Sequence, residues 1–222
     1  MWTLYRHTKG MPYVGLGVAL HSEDLVPFEV YRCLYDNELS RSWIRPQQMF
    51  HEQLEGGQAR FTPFARVRVV TPHDEPTILG FGQDAWGKGM ARDEFVASYA
   101  SNRNHVRGKA YLLEKFDGTP VSALNTLRLN RNRVGIARVA TDGAYRGQGY
   151  ASLLLRTVME LLLLENREMR FILYSEVDPV FYEKLGFRAL SEEDQHFLPA
   201  VAMISGAEPL ERSDSSLVHE YF

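Results

Sequence analysis

With 222 residues, 45% hydrophobic and 24% charged side chains and a formal net charge of -3, the chain has the make-up of an ordinary globular protein of one large or two modest domains. This excludes a disordered or fibrous chain, and the slightly acidic balance offers no basic field for nucleic acid. A single cysteine, Cys33, rules out an intramolecular disulfide, and seven histidines without short His/Cys spacing give no expected metal site.

Met1 to Gly10 carry Arg6, His7 and Lys9 and no apolar h-region, so no signal or transit peptide is expected and the cytoplasm is the expected compartment. From Pro12 to Phe61, the runs Tyr13 to Ala19, Phe28 to Tyr35 and Ser42 to Arg45 predict a small, mainly β domain over residues 1–64, with an SH3-like barrel as the form considered. Cys33 reads as a buried structural thiol on one of these strands. Tyr31, Arg32, Trp43 and Arg45 are candidates for an aromatic-basic patch suited to a carboxylate, phosphate or base, or equally for a β core with surface arginines.

Alternation restarts at Arg66 to Val70, and Thr71-Pro72-His73-Asp74 then reads as a helix start, with Thr71 as N-cap and Pro72 at the first helical position. A domain boundary near Phe64 fits both. Two helices are predicted around the Trp86-Gly87-Lys88-Gly89 loop, from Ile78-Leu79-Phe81 and Phe95-Val96-Tyr99. A β meander follows: Ala110 to Phe116, an Asp117-Gly118 turn, Val121 to Leu129, an Arg131-Asn132-Arg133 turn, and Val134 to Thr141.

A helix is predicted from about Gly147 to Glu165. Its apolar stretch Ala151 to Leu164 is broken by Arg156 and Glu160 and falls short of the roughly 20 residues needed to span a bilayer, so no membrane partner is expected. Next come a strand over Arg170 to Tyr174, a short helix opened by Asp178-Pro179 and closed at Gly186, and closing strands from Phe187 and over Ala200 to Ile204. The order predicts an α/β domain over residues 65–222, with a mixed sheet sandwiched by helices.

The sharpest feature is the junction Thr141-Asp142-Gly143-Ala144-Tyr145-Arg146-Gly147-Gln148-Gly149-Tyr150-Ala151-Ser152. The first amides of a helix lack intrahelical acceptors and the helix dipole is positive there, so such a junction suits a pyrophosphate. A Walker loop needs Gly-Lys before Ser or Thr, whereas Tyr150 and Ala151 follow Gly149. The dinucleotide fingerprint finds Ser152 at its third glycine and a meander in place of a βαβ crossover.

Arg146-Gly147-Gln148-Gly149-Tyr150-Ala151 resembles the Q/R-x-x-G-x-G/A signature of the GCN5-related N-acetyltransferase (GNAT) family, and Asp178-Pro179-Val180-Phe181-Tyr182-Glu183-Lys184-Leu185-Gly186-Phe187 resembles its tyrosine-bearing closing segment. The resemblance covers about residues 65–222 and implies the GNAT acyltransferase fold. It implies acetyl-coenzyme A as cofactor, with Val139, Ala140 and Thr141 meeting the thioester and pantetheine arm. Gly147, Gln148, Gly149, Tyr150, Ala151 and Ser152 would then cradle the pyrophosphate, and Arg146 would add charge. Ser175 stands where many members carry an asparagine that contacts the pantetheine.

The resemblance further implies direct attack of a primary amine, of a small molecule or a peptide, with no acetyl-enzyme. Tyr182 matches the general acid, and a phenol of pKa about 10 arrives protonated beside a thiolate of about 8.5. Glu176 is the first candidate for the base, with Asp178 and Glu114 behind it. A non-catalytic module that binds coenzyme A or docks a partner is the alternative, and a homodimer is an assembly left open. The surfaces expected to choose the acceptor are Trp86 to Met90 and Phe197 to Phe222. Residues 4–61 resemble a small bacterial domain of unknown function, on Tyr5-Arg6-His7, Leu16-Gly17-Val18-Ala19, Val30-Tyr31-Arg32 and Trp43-Ile44-Arg45-Pro46.

Overall fold

The computed structural model describes residues 1–100 and 107–206; His105, His219 and the part of the Phe197–Phe222 surface from residue 207 onward lie outside the described residues. The strands are β1 (Trp2–His7), β2 (Pro12–Leu20), β3 (Pro27–Cys33), β4 (Ser42–Pro46), β5 (Phe61–Val69), β6 (Lys109–Lys115), β7 (Pro120–Asn130), β8 (Arg133–Thr141), β9 (Arg170–Ser175), β10 (Phe187–Ala189) and β11 (Val201–Ser205). The helices are α1 (Gln47–Phe50), α2 (Glu75–Leu79), α3 (Gln83–Trp86), α4 (Arg92–Ala100), α5 (Tyr150–Glu165) and α6 (Val180–Glu183).

Among the described residues the strands form one mixed sheet in the order β10-β11-β9-β8-β7-β6-β5-β1-β2-β3-β4, with helices packed on it. Neighbours are antiparallel except β8 and β9, which are parallel and joined through α5. Strand β1 escaped the sequence reading because its alternation is short and flanked by charge; pairing with β2 on one side and β5 on the other holds it in place.

Strand β5 starts at Phe61, five residues before the expected Arg66, and runs through position 64. Its first half looked like a break because of Pro63, which cannot donate to a ladder. A bulge accommodates it: Leu4 pairs with Ala65 but Tyr5 pairs with Pro63, leaving Phe64 over. β5 therefore bonds to β1 of the first unit and to β6 of the second.

Tyr31, Phe50 and Phe61 form a buried aromatic cluster with Tyr5, Tyr13 and Trp43 packed against it. Trp43 on β4 and Phe61 on β5 come from opposite ends of the five-strand stretch β5-β1-β2-β3-β4, so the meander curls around this cluster. No β4–β5 ladder closes it among the described residues. Tyr31 faces Trp43 across β3 and β4, whereas the neighbouring Arg32 points to the other face and pairs with Glu160. Of the four patch candidates Arg32 is thus split off, whereas Arg45, two residues from Trp43 on β4, keeps the face of Tyr31 and Trp43.

A second cluster joins both units. Leu4, Val14 and Leu34 pack with Ala65, Val67 and the α5 residues Leu154, Leu155, Val158 and Leu162. Spacings of three and four put these helix side chains on one stripe, and each contributes about 1.5–3 kcal/mol by burial.

Two predicted helix starts are corrected. The first is α2, which begins at Glu75 with Asp74 at its N-cap, in place of Thr71 with Pro72. The Asp74 carboxylate accepts from Thr71 N and Oγ1 at 2.8 and 2.7 Å and from the Arg68 guanidinium at 2.6 and 2.8 Å. These bonds tie residues 71–74 into a turn. The second is α5, which starts at Tyr150 and not at Gly147, because Gly147 and Gly149 adopt φ 75° and 81°, a left-handed backbone that a right-handed helix cannot contain. Three short helices, α2 to α4, replace the two expected around Trp86. No described helix is long and apolar enough to cross a membrane.

Candidate active site

The parallel ladder between β8 and β9 runs from Arg133↔Arg170 to Ile136↔Leu173 and stops. Beyond it β8 stays with β7, at Ala140↔Ala123 and Thr141↔Ser122, while β9 stays with β11, at Ser175↔Val201. The two strands part like a V, and a cavity of about 900 Å³ opens between them. Its walls include Val139 and Thr141 from β8, Tyr174 and Glu176 at the end of β9, Tyr182 from α6, and the tip of α5.

That tip carries Gly147, Gly149, Tyr150, Ala151 and Ser152 into the cavity wall. A Cβ placed on Gly147 or Gly149 would meet nothing within 4 Å, so the glycines are required for their backbone angles and not for lack of space. No side chain caps α5, since its N-cap is Gly149. The first-turn amides therefore face the cavity with the positive end of the helix dipole behind them.

Arg146 lines the same cavity but is already engaged. Its guanidinium forms a two-pronged pair with Asp84 of α3, one contact at 2.8 Å, and its Nε donates to the Thr141 carbonyl at 3.1 Å. The Arg146 contact holds the Asp84 carboxyl below its ordinary pKa. Asp142 accepts from Ala144 N at 2.9 Å and sets the turn that leads to the tip.

Tyr182 is buried, and burial followed by the nearby Glu176 charge pushes its phenol up to about 12. Its hydroxyl takes no hydrogen bond among the described residues. Glu176 is exposed and accepts from Trp86 Nε1 at 2.7 Å. Tyr182 and Glu176 thus share the cavity with Val139, Thr141, Arg146, Gly147, Gly149, Tyr150, Ala151 and Ser152.

Three expected cofactor residues stand apart. Ala140 is buried against Leu112 and Ala123 on the other side of β8. Gln148 is exposed and turns its amide to the Ala144 carbonyl at 3.3 Å. Ser175 is buried and donates its hydroxyl to the Val177 carbonyl at 2.8 Å, so it is committed to the turn after β9. The reserve candidates for a base are also engaged: Glu114 accepts from Arg68 Nε at 2.8 Å, and Asp178 accepts from Val180 N at 3.0 Å. Of the expected acceptor-choosing loop, Trp86 reaches the wall.

Sequence reasoning missed Tyr99, Asn125, Arg138 and Tyr145, which also line the cavity. Arg138 carried a signal, a charge inside an otherwise apolar strand. A larger hollow of about 1160 Å³ on the other flank of α5 holds none of the sequence-derived site residues. Its arginines are interspersed with Asp36, Glu160 and Glu168.

Residues 107–189 match the family model described as an acetyltransferase (GNAT) domain, a span that contains the V, the tip of α5 and Tyr182. This part of the chain has the GNAT fold. A structure from Lactobacillus plantarum assigned as an N-acetyltransferase superposes with a TM-score of 0.50 at 18% identity, covering 64% of this chain and 97% of that one. ElaA of Escherichia coli does so with a TM-score of 0.50 at 15% identity, covering 64% and 99%. Both are shorter than this chain, which carries an extra unit ahead of the GNAT fold. Residues 3–65 match a family described as a protein of unknown function (DUF1653). No curated protein matches the chain.

Proposed function

We propose that the chain is an N-acetyltransferase that passes an acetyl group from acetyl-coenzyme A to the primary amine of a small molecule or peptide. The reading rests on one observation: the V between β8 and β9 opens onto an uncapped helix tip, with Tyr182 and Glu176 on the same cavity. These features fit coenzyme A. The amides of Gly147, Gly149, Tyr150, Ala151 and Ser152 would hold its pyrophosphate, and the free edge of β8 at Val139 and Thr141 would hold the pantetheine arm. When bound, the group supplies an activated acetyl thioester.

The remaining work falls to this chain. The backbone of the parted edge of β8, at Val139 and Thr141, would offer an N–H to polarise the acyl carbonyl, as an oxyanion donor does. Glu176 takes the proton of the attacking amine, held in orientation by Trp86 Nε1. Tyr182, kept protonated by burial and by Glu176, would give its proton to the thiolate released from the thioester. Ser175 commits its hydroxyl to the Val177 carbonyl, so the pantetheine arm would be held by the β8 edge without it. We take residues 65–222 as the transferase domain and residues 1–64 as a separate β domain, with β5 common to both.

Calorimetric titration with acetyl-coenzyme A, followed by thiol release across an amine panel, tests the proposal. Saturating cofactor raises the melting temperature by linkage. Absence of binding overturns the reading, and binding without turnover on any amine converts it to a coenzyme A-binding module.

A further inference from the structure

Arg138 is the least expected residue in the cavity wall. β7 and β8 pair at Asn125↔Ala137 and next at Ala123↔Ala140, so Arg138 and Val139 oppose the single Leu124. This is a β-bulge, and a bulge re-aims the side chains it carries. The bulge shifts the alternation of β8 at this point, and both Arg138 and Val139 border the cavity. Arg138 takes φ 51°, a left-handed backbone that a non-glycine residue adopts at a cost, and such strain clusters at functional sites.

Arg138 is half-buried, and its guanidinium lies over the ring of Tyr99, 4.2 Å from its centroid. Its Nε is buried and has no hydrogen-bond partner. No carboxylate pairs with it among the described residues: Glu176 turns to Trp86, and Asp84 is taken by Arg146. Burial lowers its pKa to about 10, which leaves it charged at neutral pH. A half-buried guanidinium with an aromatic face against it and no counter-anion beside it carries a desolvation cost, and a ligand anion would offset that cost.

We infer that Arg138 is a specificity-determining residue that binds the carboxylate of the acceptor, so that the preferred acceptors are amines that also bear a carboxylate, with free amino acids as the simplest class. The inference rests on the acetyl-transfer reading for the role of the cavity. A single guanidinium matches a monoanion, and the planar fork suits a carboxylate held by two parallel bonds. The opposite sign is present on the same wall at Glu176, so a zwitterion finds its amine and its carboxylate each facing the complementary charge. Arg138 also adjoins Val139, the proposed thioester contact, which favours a short separation between the reacting nitrogen and the carboxylate.

The test uses the full chain and the common L-amino acids, each compared with its own primary amide. Ligand binding is read by saturation-transfer NMR with coenzyme A present and absent, and acetylation by thiol release. The best acceptor acid is expected to exceed its amide at least tenfold in kcat/KM and in binding. Arg138→Gln brings that ratio near one, and Arg138→Lys keeps part of it by retaining the charge. An unchanged acid-to-amide ratio in Arg138→Gln overturns the inference. Should that variant fail to fold, a wild-type ratio near one for every pair, or an Arg138→Lys ratio equal to wild type, overturns it as well. Arg138-dependent acid binding without turnover keeps the inference and removes the transferase reading. Turnover of amides and acids alike does the reverse.

Discussion

Helix α5 meets the rest of the chain in two opposite ways. Along its middle, every described charge is answered: Glu160 accepts from Arg32 of β3 and from Arg41 at 3.0 Å, and Arg156 donates to the Lys184 carbonyl at 2.8 Å. At its N-terminal tip nothing answers, because Gly149 offers no side chain, and the first-turn amides open on the cavity. The middle is fastened structure that ties the β unit to the GNAT fold. The uncapped tip opens on the same cavity whose β8 wall carries Arg138, a guanidinium that no carboxylate pairs with among the described residues.

The contrast is tested most severely where the two units are joined. The Arg32 and Glu160 side chains are only 12% and 15% exposed, so Glu160→Ala strands a mostly buried guanidinium. Removing one partner of a buried pair costs about 3 kcal/mol, which lowers the melting temperature by about 6–12 °C. Thermal and urea unfolding measure it. Position 160 lies about 15 Å along the helix from Tyr150, so acetyl-coenzyme A affinity should stay the same. A parallel loss of cofactor affinity would show that the two regions are not independent.

At the other end, Tyr182→Phe is expected to lower turnover about a hundredfold, near 2.7 kcal/mol of barrier, without changing acetyl-coenzyme A affinity. The phenol is pushed up to about 12, so it stays protonated throughout the neutral and mildly alkaline range. The wild-type rate should therefore show no alkaline fall owed to Tyr182 near pH 10. An alkaline limb there that vanishes in the phenylalanine variant would mean that the phenol titrates in its ordinary range.

A smaller effect is expected at Gly149, whose φ of 81° a side chain tolerates poorly. Gly149→Ala should cost about 1–2 kcal/mol of stability and weaken acetyl-coenzyme A binding in the same variant, because the tip must shift to relieve the strain. Denaturant unfolding and calorimetry report the two losses separately. A variant that loses stability and binds cofactor as before would place the pyrophosphate elsewhere.

Much of the fastened part was legible because it follows from local rules. The meander from Lys109 to Thr141, the amphipathic α5 and the glycine turn before it are set by alternation, helical spacing and backbone angles. The uncapped start of α5 and Tyr182 were likewise visible in short motifs. What escaped notice depends on pairing between distant segments. Strand β1 takes its stability from β2 and β5, and β5 contains Pro63 only because a bulge against β1 absorbs it. Ser175 and Ala140 occupied the right places along their strands, but the sequence does not say which side of the V each faces. Arg138 was missed because a bulge, not alternation, decides where it points.

The smallest effect concerns Arg146, which stands between the two regimes. Its pair with Asp84 is largely exposed, at 45% and 61%, and such a pair contributes only about 0.2–1 kcal/mol to stability. Arg146 holds the Asp84 carboxyl below its ordinary value, so this contribution is fully present above the usual carboxylate pKa of about 4 and is lost as pH falls through the depressed one. Asp84→Asn should therefore hardly change the melting temperature at neutral pH. The same change frees a guanidinium on the cavity wall beside the proposed pyrophosphate turn, so acetyl-coenzyme A should bind several-fold tighter at low salt. The gain should vanish at about 0.5 M salt, where exposed charges are screened within a few ångströms. If affinity falls instead, the pair with Asp84 positions the turn, and Arg146 belongs with the fastened middle of the molecule.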